Sequence, residues 1–596
     1  MSGSWLPRTV TAPTRDAANT AEAPRRVLVA VLLLGLAVLA VLLLAAPGTI
    51  DVADGQSMFG ATRAIVERGD VAIQAAPGYI NPGVPGLHGQ YYSKYGPAQS
   101  LLAVPLYLLG RALEPLVPGF YRPELPNMAA SALPVLATVA TTVLLALCAV
   151  ELGAAVWGAL GLGLIYALAT PAPVYATQWF SEPLTALLVL AVFYLLLRDR
   201  RDRRGPAVWR PLLAGGALGL AVATRVETLL FVPPFLLYAL LPARRRAVRV
   251  AAFALPLAVT LAGLGLYDAV RFGSPLDTGY VNASAWDQHD LHPEHSLPSL
   301  FAGLYGLLLS PGKGLLEYAP VTLLAPLGAA LLWARRRAET AVLLGVIGID
   351  TVAHANVLIR WLGGWSWGPR FLIPVLPLAL LLLVPLLRPE GAARPGLLGN
   401  RGNWGHGAAR PGSRRLSLRP VLLGLAVLGA LVQLPALVVH EPHIYIYDLK
   451  PAYGAVGSNP PISRMLRLEN DYVHNPVLSP ILGSWRLLSD KSTWTPATAQ
   501  AVAPANVAQK SEVVAPHTWW RLLYLQGAPA GPLYVACALL AILALACLAG
   551  ALSIARPKTP RPRQGSVDAR ASYLPPWSTT PREAGADRGR RRVVTD

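Results

Sequence analysis

The feature that most constrains this chain is a succession of long apolar runs set off by clusters of arginine. Residues 27–47 form the first run, long enough to cross the hydrocarbon of a bilayer as a helix. Backbone in hydrocarbon must satisfy its own polar groups, so runs of this kind fold as helices. Further runs fall at 128–150, 154–172, 176–197, 211–224, 228–241, 250–268, 319–334, 340–358, 371–387, 420–439 and 532–554. The pattern predicts an all-α polytopic membrane protein with about twelve transmembrane helices. Composition agrees: 54% of the residues are hydrophobic, 14% are charged, and the mean hydropathy is +0.45.

The net charge is +19, from 51 Lys and Arg against 32 Asp and Glu. Such a balance can mark a nucleic-acid binder, but here the arginines sit in short loops between apolar runs, at 198–204, 244–246 and 335–337. That is the positive-inside pattern of a membrane protein, so no nucleic-acid partner is expected. It places these loops and both termini in the cytoplasm. A bias towards Ala, Leu, Arg, Gly and Pro points to a bacterial plasma membrane. The cysteines Cys148, Cys537 and Cys547 all lie in apolar runs and offer neither zinc spacing nor a disulfide framework.

The expected organisation follows. Residues 1–26 are a polar cytoplasmic segment, and the first run reads as an uncleaved anchor. Residues 27–387 form the transmembrane domain. Within its first outer loop, 99–117 reads as an interfacial helix interrupted by Pro105 and Arg111. Segment 269–318 reads as an external loop. Residues 388–419 are a basic cytoplasmic linker and 420–439 a transmembrane helix. Residues 440–530 form an extracytoplasmic region, 531–555 a last transmembrane helix, and 556–596 a disordered cytoplasmic tail.

This sorting leaves Arg runs on the inner side and mixed chemistry on the outer side. The outer segments carry Asp51 and Asp54, Lys94 and Tyr95, and Glu182. They also carry Arg225 and Glu227, Lys313, and the run from Arg360 through Trp365 and Trp367 to Arg370. Charges beside hydrocarbon are costly and are functional candidates by default. The five cations could grip a phosphate at the membrane surface. The aromatic rings suit the apolar face of a sugar, although an interfacial belt also uses Trp and Tyr. If 54–68 is helical, Asp54 takes its N-cap position. His289, His292 and His295 match no strong metal-ligand pattern and read as a solvated loop. Ser310-Pro-Gly-Lys313-Gly lacks the full spacing of a phosphate-binding loop.

Four stretches together resemble the polytopic glycosyltransferases of the GT-C class, among the bacterial relatives of protein mannosyltransferases and lipid A aminoarabinose transferases. They are Asp54 through Gly69, Lys94-Tyr95-Gly-Pro97 running on to Pro105, Gly216 through Arg225 followed by Pro233-Pro234, and Trp365 through Arg370 entering Pro374 and Pro377. The likeness spans residues 27–387. It departs from the family's Asp-Glu pair, because Gly55 follows Asp54, and so Asp51 and Asp54 both stand as the acidic residue. The resemblance implies sugar transfer outside the cytoplasm from a polyprenyl-phosphate donor held in the bilayer to a cell-envelope acceptor. It also implies inversion at the anomeric carbon and an aspartate base in the first outer loop. No cofactor is required in principle, though some members of the class use a divalent metal. A transporter or lipid-carrier flippase, and a non-catalytic envelope scaffold using 440–530, are the alternatives.

Overall fold

The computed structural model describes residues 15–50, 52–74, 83–117, 119–201, 208–241, 246–282, 295–388, 418–439, 449–453, 462–489, 518–520, 523 and 529–556. Asp51, His289, His292, nearly all of the basic linker and the tail from residue 557 lie outside them.

Helical structure falls on every one of the apolar runs. The chain opens with α1 (Arg15–Ala45), α2 (Ala53–Arg68), α3 (Ala98–Leu113), α4 (Leu125–Leu152) and α5 (Val156–Leu168). It continues through α6 (Ala172–Ala176), α7 (Glu182–Arg201), α8 (Trp209–Thr224), α9 (Val232–Leu240) and α10 (Arg246–Phe272). Then come α11 (Leu297–Leu309), α12 (Leu315–Tyr318), α13 (Ala325–Trp333), α14 (Arg337–His354) and α15 (Leu376–Leu381). The last described helices are α16 (Arg419–Val439), α17 (Ile462–His474), α18 (Pro480–Ser489) and α19 (Ala530–Ala555). Among the described residues, five helices are long and apolar enough to cross a membrane: Pro24–Ala45, Arg122–Leu152, Arg246–Phe272, Arg419–Val438 and Ala530–Ala555. Several other runs start as 3₁₀ turns and become α-helix at a proline, as at Val226–Phe231 leading into α9 and Arg370–Val375 leading into α15. Proline is tolerated in a first turn, where its missing N–H has no partner to lose.

Two local expectations are corrected. Helix α3 runs through Pro105 without a break. Segment 269–318 is not loop throughout, since α11 lies within it. The Ser296 side chain accepts from Ser299 N at 3.2 Å and Pro298 opens the first turn, a start signal hidden by the polar stretch before it.

The core is built around α7, most of whose apolar side chains are buried. It packs against α4 and α8, and α8 in turn against α10. The first and last described helices lie side by side, and Trp519 and Trp520 donate to the Leu43 and Leu44 carbonyls at 2.8 and 3.2 Å. The arginine-rich helix ends are tied by ion pairs: Arg201 to Glu151 at 2.9 Å, Arg198 to the same carboxylate, and buried Arg249 to buried Asp199.

Three helices share one arrangement of charge. Basic residues stand at one end and polar residues of the outer segments at the other: Arg198, Arg200 and Arg201 against Glu182 on α7, Arg210 at the start of α8 against Arg225 just after its end, and Arg337 against His354 on α14. At 1.5 Å per residue, twenty residues of α7 separate its two ends by about 30 Å.

Three short strands, β1 (Ala72–Ile73), β2 (Val84–Pro85) and β3 (Tyr91–Tyr92), form an antiparallel sheet in the order β1-β3-β2. Tyr92 pairs with Ala72 on one side and Val84 on the other. This sheet sets the position of Ser93, Lys94 and Tyr95 at the exit of β3.

Candidate active site

Asp54 is the second residue of α2, not its cap. The cap position is Val52, in extended conformation and with no side-chain cap bond. The Asp54 carboxylate is therefore not spent on its own helix. It accepts instead from Arg370 Nη2 at 2.7 Å. Gly55 lets this happen, because a Cβ there would stand 2.9 Å from the Trp179 carbonyl oxygen. The close approach presses the start of α2 against the segment leading to Glu182.

Arg370 is the centre of the site. Its Nε donates to Glu182 Oε1 at 2.5 Å while its Nη2 holds Asp54. The guanidinium lies over the Phe180 ring, 4.1 Å from the centroid. Glu182 opens α7, where the helix dipole favours a carboxylate, and its side chain is fully buried. The same Oε1 also takes Arg225, whose Nε donates to Glu227 Oε1 at 2.5 Å. Glu182 Oε2 is buried with no hydrogen-bond partner among the described residues. The result is an unbroken chain of charge: Asp54, Arg370, Glu182, Arg225, Glu227. Burying such groups is stabilising only when each finds an opposite charge in good geometry, and here they alternate in sign.

Lys94 and Tyr95 approach the same carboxylate from the sheet. The Lys94 ammonium stands 5.7 Å from the Tyr95 ring centroid and 5.6 Å from that of Tyr280. Burial pushes the Asp54 carboxyl up, but Arg370, Lys94 and a hydrogen bond from Tyr95 outweigh it and leave it below the usual aspartate value. Burial, and then the Asp54 charge, hold the Tyr95 phenol well above its usual value, so it stays a donor.

The other candidate residues are placed differently. The Lys313 ammonium is buried and donates to Gly364 O at 2.8 Å, Ser366 O at 2.5 Å and Ser366 Oγ at 3.1 Å. Burial, and then Arg370 nearby, hold it well below the usual lysine value. Its three protons fasten the loop in which Gly363, Gly364 and Gly368 all take positive φ, and that loop delivers Arg370. Arg360 pairs with Glu469 of α17 at 2.8 Å. Trp365 stands edge-on to Tyr472 of the same helix at 5.4 Å. Trp367 is fully buried. Its indole donates to Gln433 Oε1 at 2.8 Å, and its ring meets Tyr318 edge-on at 5.0 Å. Asp51 lies outside the described residues. Among the described residues, no group of three or more His, Cys, Asp and Glu is placed to hold a metal ion.

Sequence reading passed over His354 and Asp350. His354 Nε2 is 3.9 Å from Glu227 Oε1, Asp350 Oδ1 is 3.3 Å from His354 Nδ1, and both residues are buried. The signal was present: an Asp and a His four apart share one face of an apolar helix. Arg271 was also missed. Buried at the end of α10, it pairs with Asp268 and donates to the Ser93 carbonyl, holding the turn that carries Lys94.

Fold and site together define a helical protein with helices long and apolar enough to span a membrane and a carboxylate–guanidinium centre whose Glu182 is fully buried and whose other members are partly buried. No family model matches the chain, and no curated protein matches it. Among solved structures it is similar to ArnT from Cupriavidus metallidurans in the apo state, with a TM-score of 0.44 and 16% identity over 90% of this chain and 77% of that one. It is similar to the same protein bound to undecaprenyl phosphate, with a TM-score of 0.44 and 14% identity over 88% of this chain and 76% of that one. A third is the oligosaccharyltransferase of Archaeoglobus fulgidus in the apo form, with a TM-score of 0.35 and 12% identity over 84% of this chain and 60% of that one.

Proposed function

We propose that this chain is a multi-pass membrane glycosyltransferase. It moves a sugar from a polyprenyl-phosphate donor to an acceptor hydroxyl on the non-cytoplasmic side of a bacterial plasma membrane, with about twelve crossings and both termini cytoplasmic. The observation that carries this reading is the meeting of Asp54, Glu182, Arg225 and Arg370, with Glu182 at the head of α7, whose other end carries Arg198, Arg200 and Arg201, and Arg225 just after α8, which has Arg210 at its start. By the positive-inside rule the meeting point is the outer one.

In this mechanism Asp54 takes the proton from the acceptor hydroxyl as that oxygen attacks the anomeric carbon. The bond from that carbon to the phosphate oxygen breaks, the anomeric centre inverts, and the lipid phosphate leaves with the electron pair. Arg370, Arg225 and Lys94 are the cations near enough to Asp54 and Glu182 to stabilise the charge that develops on it. The buried Glu182 Oε2 offers an acceptor for a hydroxyl of the bound sugar. A general base activating a hydroxyl contributes about 10²–10⁴-fold.

The test uses the purified protein in lipid nanodiscs with polyprenyl-phosphate-linked sugars of the cell envelope. Release of polyprenyl phosphate that depends on added acceptor, and that Asp54→Asn abolishes in a folded protein, is the expected result. Acceptor-independent movement of the intact donor across the bilayer by wild type and variant alike would overturn it in favour of a flippase.

A further inference from the structure

The buried Asp350–His354 pair on α14 has no part in the mechanism above, yet it touches the charge chain at Glu227. Ionisable side chains within apolar helices are costly to keep and seldom idle. His354 Nδ1 lies 3.0 Å from the Asp350 carbonyl oxygen and 3.3 Å from its Oδ1, so Nδ1 carries a proton and donates it there. The imidazole stacks on Phe371 at 4.6 Å with 13° between the planes, which fixes the ring. The Arg225 guanidinium is 5.6 Å from the centroid of that same Phe371 ring. With Nδ1 committed, Nε2 is left facing Glu227 Oε1 at 3.9 Å. A bare Nε2 presents a lone pair to a carboxylate. A protonated Nε2 presents a positive charge.

The groups facing His354 can be named. Asp350 comes from its own helix, and Glu227 and Arg225 come from the turn before α9. Arg370 precedes Phe371 in the chain and faces Glu182 and Asp54. The ionisable residues of α9 and α11 are engaged elsewhere, Tyr238 with Glu339 and Tyr305 stacked on His474. Helices α13 and α15 carry no ionisable residue. Around the site, the carboxylates of Asp54, Glu182, Glu227 and Asp350 stand among Lys94, Arg225, Arg370 and, beside Arg370, Lys313. Of these groups and His354, only His354 titrates near neutral pH in its ordinary state.

We propose that His354, held by Asp350, is a positioning residue that sets how strongly Arg225 binds a lipid phosphodiester. Protonated, it draws on the charge of Glu227 and leaves the Arg225 guanidinium available to the incoming anion. Neutral, it leaves Glu227 to Arg225 alone, and the guanidinium is spent inside the protein. Binding of the anion and protonation of His354 are then linked, each favouring the other. The inference rests on the glycosyltransferase reading for the identity of the anion and on the contacts above for the switch.

The experiment measures binding of a short-chain polyprenyl phosphodiester of a hexose to the full-length protein in nanodiscs. That probe keeps a single charge between about pH 5 and 8, the range in which histidine titrates. Wild type should bind on the order of tenfold more weakly at the top of that range than at the bottom, and binding should take up protons, read as a dependence of the heat on the buffer's ionisation enthalpy. His354→Gln should flatten the pH profile, and Asp350→Asn should move its midpoint to lower pH. Proton uptake is read on wild type, so the inference stays testable if either variant fails to fold. Binding by wild type with no pH dependence and no proton uptake, or an unchanged pH profile in His354→Gln, overturns the switch and leaves the transferase reading standing. Absence of binding by wild type at any pH overturns both.

Discussion

Arg370 Nη2 and Asp54 Oδ2 are 2.7 Å apart across 316 positions of sequence. The same guanidinium holds Glu182 through Nε, so one planar group bridges the segment after α1 and the head of α7. A lysine has a single charge point and cannot reproduce that fork. Arg370→Lys should therefore lower sugar transfer by about 10²–10³-fold, as expected when a preorganised donor to a developing oxyanion is lost. The variant should remain folded, since the net charge of the cluster is unchanged. Transfer rates in nanodiscs beside a thermal scan check this; full activity in Arg370→Lys would remove Arg370 from the reaction.

A second expectation concerns acid. The Asp54 carboxyl lies below its ordinary value because Arg370, Lys94 and Tyr95 outweigh its burial. As a base it works only when ionised, so lowering the pH should leave the rate at saturating donor unchanged down to the ordinary aspartate value near 3.9, and the fall should come only below it. The linked stability has the same sign. It is fully present above the unfolded-state value and is lost as pH falls through the depressed one. A rate at saturating donor that already halves near pH 6, in a protein still folded by near-ultraviolet circular dichroism, would show that another group is the base.

Much of this is legible in the sequence. The apolar runs predicted where helical structure falls, because backbone in hydrocarbon leaves few choices. The order of acidic loop, Lys94-Tyr95, Arg225 and Arg370 singled out the residues that meet. What sequence could not show was who meets whom. Asp54 read as a helix cap, because a carboxylate at a helix start usually is one. Only the backbone position of Val52 shows that it is not. Lys313 read as a phosphate ligand, yet three oxygens of the 364–366 loop take its protons. His354 and Asp350 were overlooked because chemistry was sought in the loops, whereas they occupy the last turn of an apolar helix.

Glu182 offers a test of stability. Its side chain is fully buried, and a single oxygen accepts from both Arg225 and Arg370. Glu182→Gln keeps the shape and removes the charge, leaving two guanidinium groups facing each other with less to neutralise them. Removing one partner from a buried ion pair costs about 3–5 kcal/mol. The variant should show a clearly lower melting temperature in detergent and a poor monodisperse yield. Wild-type stability in Glu182→Gln would show that the charge of this carboxylate does not hold the cluster together.

Trp367 separates a packing role from a sugar-binding one. Sequence placed it beside Trp365 as a platform for a sugar ring, but it is fully buried, with its N–H on Gln433 and its ring against Tyr318. Gln433 passes the bond on, donating from Nε2 to the Tyr318 carbonyl at 2.7 Å. Trp367→Phe removes the indole donor and leaves Gln433 Oε1 buried without it. An unsatisfied buried group costs about 1–3 kcal/mol, to which lost ring volume adds. The expected outcome is a lower melting temperature, with the apparent affinity for donor unchanged when measured well below the transition. Gln433→Leu should give a comparable loss, and the double variant should lose less than the sum of the two, because each single change strands the other partner. Weaker donor binding in Trp367→Phe at unaltered melting temperature would instead return this ring to the sugar site.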